Sequence, residues 1–173
     1  SFTGVKVGIN IVNTAAMING ITDINVISSL KLQKLAGVRY SVMTFGKGKM
    51  YILDTKYPFK NFKTSTKPPI LLIHGTSSSL HTWEGPWVQK LGATHRVITV
   101  DLPGHGQSPL LKDQPMDPHS LGTLVVNEVE KQFGITEFHL VGNSWGGWIV
   151  LEIAASFANR VKSVTALAPA GFW

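Results

Sequence analysis

A chain of 173 residues, 43% hydrophobic and 15% charged, has room for one domain with a sizeable core and not for two comfortable ones, and its balance is not that of a disordered chain. With no cysteine, a disulfide framework and thiolate metal sites are excluded. The formal net charge of +6 is unevenly spread: residues 1–67 hold 10 Lys and Arg against 2 Asp and Glu, and residues 68–173 hold 6 against 8.

Residues 1–36 are poor in charge, rich in Ile, Val and Asn, and ambiguous in period. They predict an N-terminal extension of short helices ahead of a main domain over residues 37–173. The stretch 7–30 is interrupted by Asn10, Asn13, Asn19, Asp23 and Asn25, short of the ~18–20 uninterrupted apolar residues of a membrane span. There is no charged start followed by a clean apolar run and an Ala-x-Ala site, so no signal peptide is expected. Nine of the ten N-terminal cations lie from Lys31 to Lys67 with few aromatics between them. Such lysines suit solvated loops and exposed strand edges. An anionic membrane surface is the partner they leave open, and no nucleic-acid partner is expected.

From Val38 the pattern becomes strand-like: "VRYSVMTF" and "KMYILDT" flank "GKGK", the signature of a β-hairpin. "NFKTSTKPP" follows as a polar connector. "ILLIHG" (70–75), "RVITVDLPG" (96–104) and "EFHLVGNS" (137–144) then read as strands buried on both faces, and "SVTALAPAG" (163–171) repeats the form more loosely. Between them lie three helical segments. "HTWEGPWVQKL" predicts one with Thr82 as its cap and Pro86 in its first turn. Asp117 and Pro118 stand as N-cap and first residue of "HSLGTLVVNEVEKQF", which stops at Gly134. "GGWIVLEIAASFANRV" is the third. The alternation predicts an α/β fold, a mostly parallel sheet with helices on both faces, whose function collects at the carboxyl ends of the strands.

Those ends carry "HGTSSS", "DLPGHGQS", "GNSWGG" and "APAGFW". Gly142-Asn143-Ser144-Trp145-Gly146 fits GxSxG, and it lies where a buried strand gives way to a helix. A sharp turn of this kind holds a serine in a strained conformation, and its glycines let helix and strand approach. The helix behind it aims N–H groups and a positive dipole end at developing negative charge. Acyl transfer needs two N–H donors on the oxyanion; the candidates are Trp145, which follows the serine, and Thr76 in the Gly75-Thr76 turn.

"LLIHGTSSSLHTWEGPW", "RVITVDLPGHGQS", "LVGNSWGGW" and "SVTALAPAGFW", in this order and spacing, resemble the amino-terminal half of an α/β-hydrolase of the esterase-like type, over residues 38–173. The resemblance implies a strained nucleophile at Ser144, an oxyanion loop at His74-Gly75-Thr76, and a triad in the chain order Ser, Asp or Glu, His. It makes the hairpin and "ILLIHG" strands one to three and "FHLVGNS" the central fifth. Haloalkane dehalogenases and epoxide hydrolases of this fold carry aspartate where Ser144 stands, so alkyl-enzyme chemistry is not expected. Trp145 is similar to the residue in the GxSWG elbow of proline iminopeptidases.

The base is harder to place. After Ser144 the sole acid is Glu152 and there is no histidine. His139 lies on the same strand as Ser144, about 16 Å away at ~3.3 Å per residue. His119 is expected at the surface or as a cap, His105 in a turn, His95 exposed before a strand, and His81 beside the cleft without a sharper role. His74 is expected to hold the oxyanion loop rather than serve as base. Glu152 stands about 12 Å along the elbow helix at ~1.5 Å per residue and should face solvent. The expectation is a sheet truncated after its sixth strand, with the triad acid and histidine beyond Trp173 and the 173-residue chain by itself inactive. The substrate would be a small acyl compound, a carboxylic ester first, with no cofactor and no metal. C–C bond hydrolysis, aminopeptidase action and a non-catalytic binding protein of the same fold are the alternatives.

Overall fold

The computed structural model describes residues 39–45, 48–55 and 66–171. The helices expected over residues 1–36, most of the basic stretch and the larger part of the polar connector lie outside the described residues.

Strands β1 (Arg39–Phe45) and β2 (Gly48–Asp54) form the predicted hairpin. Phe45 pairs with Gly48 and Arg39 with Asp54, the full length of both strands. Strands β3 (Ile70–Ile73), β4 (Val97–Val100), β5 (Phe138–Asn143) and β6 (Val161–Leu167) complete one six-stranded sheet in the order β1-β2-β4-β3-β5-β6. Pairing is antiparallel from β1 to β2 and from β2 to β4, and parallel among β4, β3, β5 and β6.

Among the described residues, three helices and a 3-10 turn lie between these strands: the turn at Leu80–Trp83, α1 (Pro86–Gly92), α2 (Pro118–Phe133) and α3 (Trp145–Ser156). Side chains alternate across a strand, so the sheet has two apolar faces. On one, Leu71, Ile73, Ile98, Val100 and Leu140 pack with Leu121, Val125 and Val129 of α2 and Ile149, Val150 and Ile153 of α3. On the other, Ile70, Leu72 and Val97 meet Leu80 and Trp83 of the 3-10 turn and Val88 of α1. Both faces are therefore covered, as expected. Every residue of β3 and β4 is buried, whereas β5 alternates buried with half-buried positions.

Helix α2 begins and ends as the sequence predicts. Asp117 accepts the Ser120 N–H at 2.9 Å, and Gly134 closes the helix at φ 65°, the left-handed cap that glycine adopts without strain. Two expectations need correction. Thr82 caps no helix: Ser79 caps the 3-10 turn, and Gly85, at φ 70° and ψ −122°, breaks the segment and leads α1 in at Pro86. The third helix stops at Ser156, and Val161 is already paired with Phe138 in β6. An apolar run of that length has no period break at its end, so strand pairing sets the boundary. The β4-to-α2 connection runs over residues 101–117.

Candidate active site

Because β3 lies between β4 and β5, the loop after β3 is flanked by the turn after β5 on one side and the loop after β4 on the other. Ser144 occupies the first of these turns, half-buried, at φ 54° and ψ −118°, as the residue that leads into α3. That conformation is sparsely populated for a side-chain-bearing residue and persists only where its surroundings over-determine it. Here they do. The Ser144 N–H donates to the Leu167 carbonyl at 2.9 Å, and the Ser144 carbonyl accepts the Ala170 N–H at 2.9 Å and the Trp148 N–H at 3.2 Å. Asn143 Nδ2 adds a bond to the Leu167 carbonyl at 3.2 Å. The segment after β6, read from the sequence only as a strand end, thus braces the turn.

The two glycines of the motif are needed for space. A Cβ on Gly142 would lie 2.1 Å from the Gly146 carbonyl oxygen, and one on Gly146 would lie 2.3 Å from that of Ile73. Both clashes are with backbone, so neither can be relieved by a side-chain rotation.

Gly75 and Thr76 stand against this turn. A Cβ on Gly75 would be 3.1 Å from both the Ser144 Cβ and the Asn143 carbonyl oxygen. The Ser78 N–H closes the turn onto the Gly75 carbonyl at 3.3 Å, with Ser77 at φ 57°. Among the described residues, the N–H groups of Thr76 and Trp145 donate to no protein group. Two free N–H groups, one on the loop that packs on Ser144 and one at the first residue of a helix, form the arrangement that stabilises an oxyanion.

Two buried polar side chains hold the loops beneath. His74 is fully buried; its Nδ1 donates to the Gly75 carbonyl at 2.8 Å, and its Nε2 accepts the Leu102 N–H at 3.1 Å. Burial is the main cause that holds its pKa below the ordinary 6.5, so the ring is neutral. Asp101, also fully buried, accepts the Leu80 N–H at 2.7 Å and the Gln107 N–H at 2.8 Å, and a Cβ on Gly106 would fall 2.2 Å from its carboxylate. The Ser108 hydroxyl donates to the Asp101 carbonyl at 2.7 Å and accepts the Tyr51 N–H at 2.7 Å. Sequence reasoning missed Asp101. Its position as the first residue past β4, in a loop with two glycines, was the available signal.

The remaining histidines are dispersed. His139 pairs with Ile70 at the opposite end of the sheet from Ser144, where its Nδ1 bonds Ser163 Oγ at 2.8 Å and its ring meets His95 edge-on at 5.7 Å. Burial lowers the pKa of both. His95 is thus half-buried rather than exposed. His119 lies 3.8 Å from Glu152 and 3.4 Å from Ser156 Oγ, between the outer helices. Glu152 also accepts the Trp148 Nε1 proton at 3.0 Å, so it braces α3 at the surface. His81 pairs with Glu84 at 2.9 Å, and this hydrogen bond raises its pKa. His105 bonds the Pro103 carbonyl at 3.1 Å, its ring 5.1 Å from that of His74 and 5.7 Å from that of Trp145. It lies in the turn as expected, beside the candidate site. Among the described residues, no group of three or more metal-ligating side chains converges, and no helix is long and apolar enough to cross a membrane.

A mostly parallel sheet in which β5 runs through a strained serine into a helix, with a glycine loop packed on that serine, defines a hydrolase fold. Residues 68–173 match the alpha/beta hydrolase fold family, and the chain belongs to it. It is 31% identical to a proline iminopeptidase of Lactobacillus delbrueckii subsp. lactis over 72% of this chain and 47% of that protein. It is 30% identical to the abhydrolase domain-containing protein abhd-5.2 of Caenorhabditis elegans over 66% of this chain and 29% of that protein. A membrane phospholipase A, a bacterial virulence factor, shares the fold at a TM-score of 0.72 and 24% identity, over 92% of this chain and 50% of its own. The chain therefore spans half or less of the length of these relatives.

Proposed function

We propose that this chain carries the nucleophile half of a serine hydrolase acting on carboxylic esters or related acyl compounds. The observation that carries the reading is Ser144, held at φ 54° at the mouth of α3 with the Thr76 and Trp145 N–H groups free beside it. Ser144 Oγ attacks the acyl carbonyl and forms an acyl-enzyme; Thr76 and Trp145 hold the oxyanion, each contributing on the order of 3 kcal/mol to the transition state. A serine hydroxyl needs a base to take its proton. His74 has both ring nitrogens bonded to backbone, His105 is bonded to the Pro103 carbonyl in its own turn, His81 is paired with Glu84, and His139, His95 and His119 stand away from the turn. The base and its orienting acid are accordingly assigned to the sequence after Trp173.

The test is turnover of p-nitrophenyl esters by the protein expressed from its complete gene and by its Ser144→Ala variant. Loss of at least about a thousandfold is expected; equal rates would sink the assignment. The likeness to a proline iminopeptidase favours one second reading, peptide-bond cleavage at an amino-terminal proline. Turnover of proline p-nitroanilide in preference to the esters would select it, with the same nucleophile and donors.

A further inference from the structure

We propose that His119, Glu152 and Ser156 form a surface site for a divalent transition-metal ion of the zinc, nickel or copper type, which clips α2 to α3. Glu152 and Ser156 stand four residues apart on α3 and so share one face. His119 comes to that face from the first turn of α2. Its Nδ1 lies 3.4 Å from Ser156 Oγ and 3.8 Å from Glu152 Oε2. Both separations are long for hydrogen bonds, whose heavy atoms usually stand ~2.7–3.2 Å apart. They are close to the spacing of atoms around an ion: with bonds of ~2.0–2.1 Å, the donors of a tetrahedral zinc site stand about 3.3–3.4 Å apart. The first separation has that value, and the second needs to close by about 0.4 Å, a small rotation for side chains that are 60% and 36% exposed.

The charge and the donor types fit the same ion. Glu152 brings one negative charge, and Asp117, two residues before His119, places a second at the start of α2. An imidazole nitrogen beside a carboxylate suits zinc, nickel or copper, whereas magnesium and calcium take oxygen ligands. The carboxylate is also oriented for the role. Trp148 Nε1 donates to Glu152 Oε1 at 3.0 Å, which leaves Oε2 to face His119, and such outer partners fix the direction of a ligand. With one histidine, one carboxylate and a hydroxyl, water would complete the coordination; the set agrees with the absence, among the described residues, of any cluster of three His, Cys, Asp or Glu. Because α3 starts directly after Ser144, an ion here braces the helix behind that serine from its other end.

The test is calorimetric titration with zinc of the protein expressed from its complete gene, beside its His119→Ala, Glu152→Gln, Trp148→Phe and His139→Ala variants. His119→Ala and Glu152→Gln are each expected to remove one equivalent of bound zinc. Trp148→Phe should weaken that equivalent about tenfold without removing it, and His139→Ala should leave it unchanged. Saturating zinc should raise the melting temperature of the unsubstituted protein by about 2–4 °C and leave that of His119→Ala where it was; magnesium at the same concentration should do neither. An unchanged zinc stoichiometry in His119→Ala would overturn the proposal. So would loss of the ion in His139→Ala, which would move the site to the His95 and His139 rings. A measurement on the unsubstituted protein needs no variant to fold: cobalt(II) should shift and broaden the NMR resonances of the His119 ring while those of His139 stay sharp, and the reverse pattern would likewise overturn the proposal.

Discussion

The Asp101 carboxylate and the Leu80 N–H are joined across 21 positions of sequence by a 2.7 Å hydrogen bond. The bond ties the far end of the loop that begins at Gly75 to the loop after β4, and the second carboxylate oxygen takes the Gln107 N–H. A buried carboxylate with two backbone donors is satisfied only as an acceptor. Asp101→Asn places an amide N–H against one of those donors. It is expected to cost about 3 kcal/mol in urea denaturation, and a change below about 0.5 kcal/mol would show that the loops do not depend on the carboxylate.

Two glycines beside Ser144 should respond differently to the same added methyl group. Gly146→Ala drives a Cβ to 2.3 Å from the Ile73 carbonyl, a central-strand backbone atom, whereas Gly75→Ala reaches 3.1 Å from its neighbours. The first should cost about 3 kcal/mol or more by displacing α3 from the sheet, the second about 1 kcal/mol. If the proposed function holds, Gly75→Ala should still lower kcat for p-nitrophenyl esters, because its methyl presses on the Ser144 Cβ. Equal melting temperatures for the two variants would contradict this ranking.

The strain at Ser144 predicts an inverted preference between small residues. At φ 54° and ψ −118° glycine is free of the Cβ penalty that alanine bears. Ser144→Gly should therefore be more stable than Ser144→Ala by about 1 kcal/mol, opposite to the order in an ordinary helix or strand. Urea denaturation of the two variants decides it, and an alanine variant as stable as the glycine one would mean the turn is relaxed.

The pH dependence has a defined sign. Burial holds the pKa of His74 below 6.5, and His95 and His139 shift the same way. Below about pH 6.5 the unfolded chain takes up protons that these folded groups refuse, so stability falls on acidification until the folded pKa values are reached. His81, raised by its bond to Glu84, acts oppositely: its stabilisation is present below about pH 6.5 and is lost as pH rises through its folded pKa. Melting temperatures from about pH 7 down to about pH 5 should decline, and less steeply in His74→Asn than in the unsubstituted protein. Identical slopes would place the proton uptake elsewhere.

Much of the fold and of the candidate site can be read without a structure because its signals are local. A buried strand is a short apolar run, and the α2 cap is Asp-Pro at one end and glycine at the other. Ser144, Gly142 and Gly146 announce themselves because a tight strand-to-helix crossing leaves no room for side chains at those spacings. Helix ends without such markers were less legible: the third helical segment reads on to Val161, which pairing with Phe138 places in β6, and Gly85 divides a segment that reads as a single helix.

By itself, then, the sequence determined the hairpin, the parallel α/β alternation and the order of the glycine turns, each specified by residues within a few positions of one another. The tertiary structure decided what required distant segments to meet. It put β3 between β4 and β5, so that the Gly75 loop faces Ser144. It tied His74 to Leu102 and Asp101 to Leu80, and set His139 against Ser163 and His95. No local pattern encodes such pairings. They arise when apolar strands choose neighbours that bury both faces of the sheet, and each polar group drawn in with them must find a partner among whatever backbone the packing brings near.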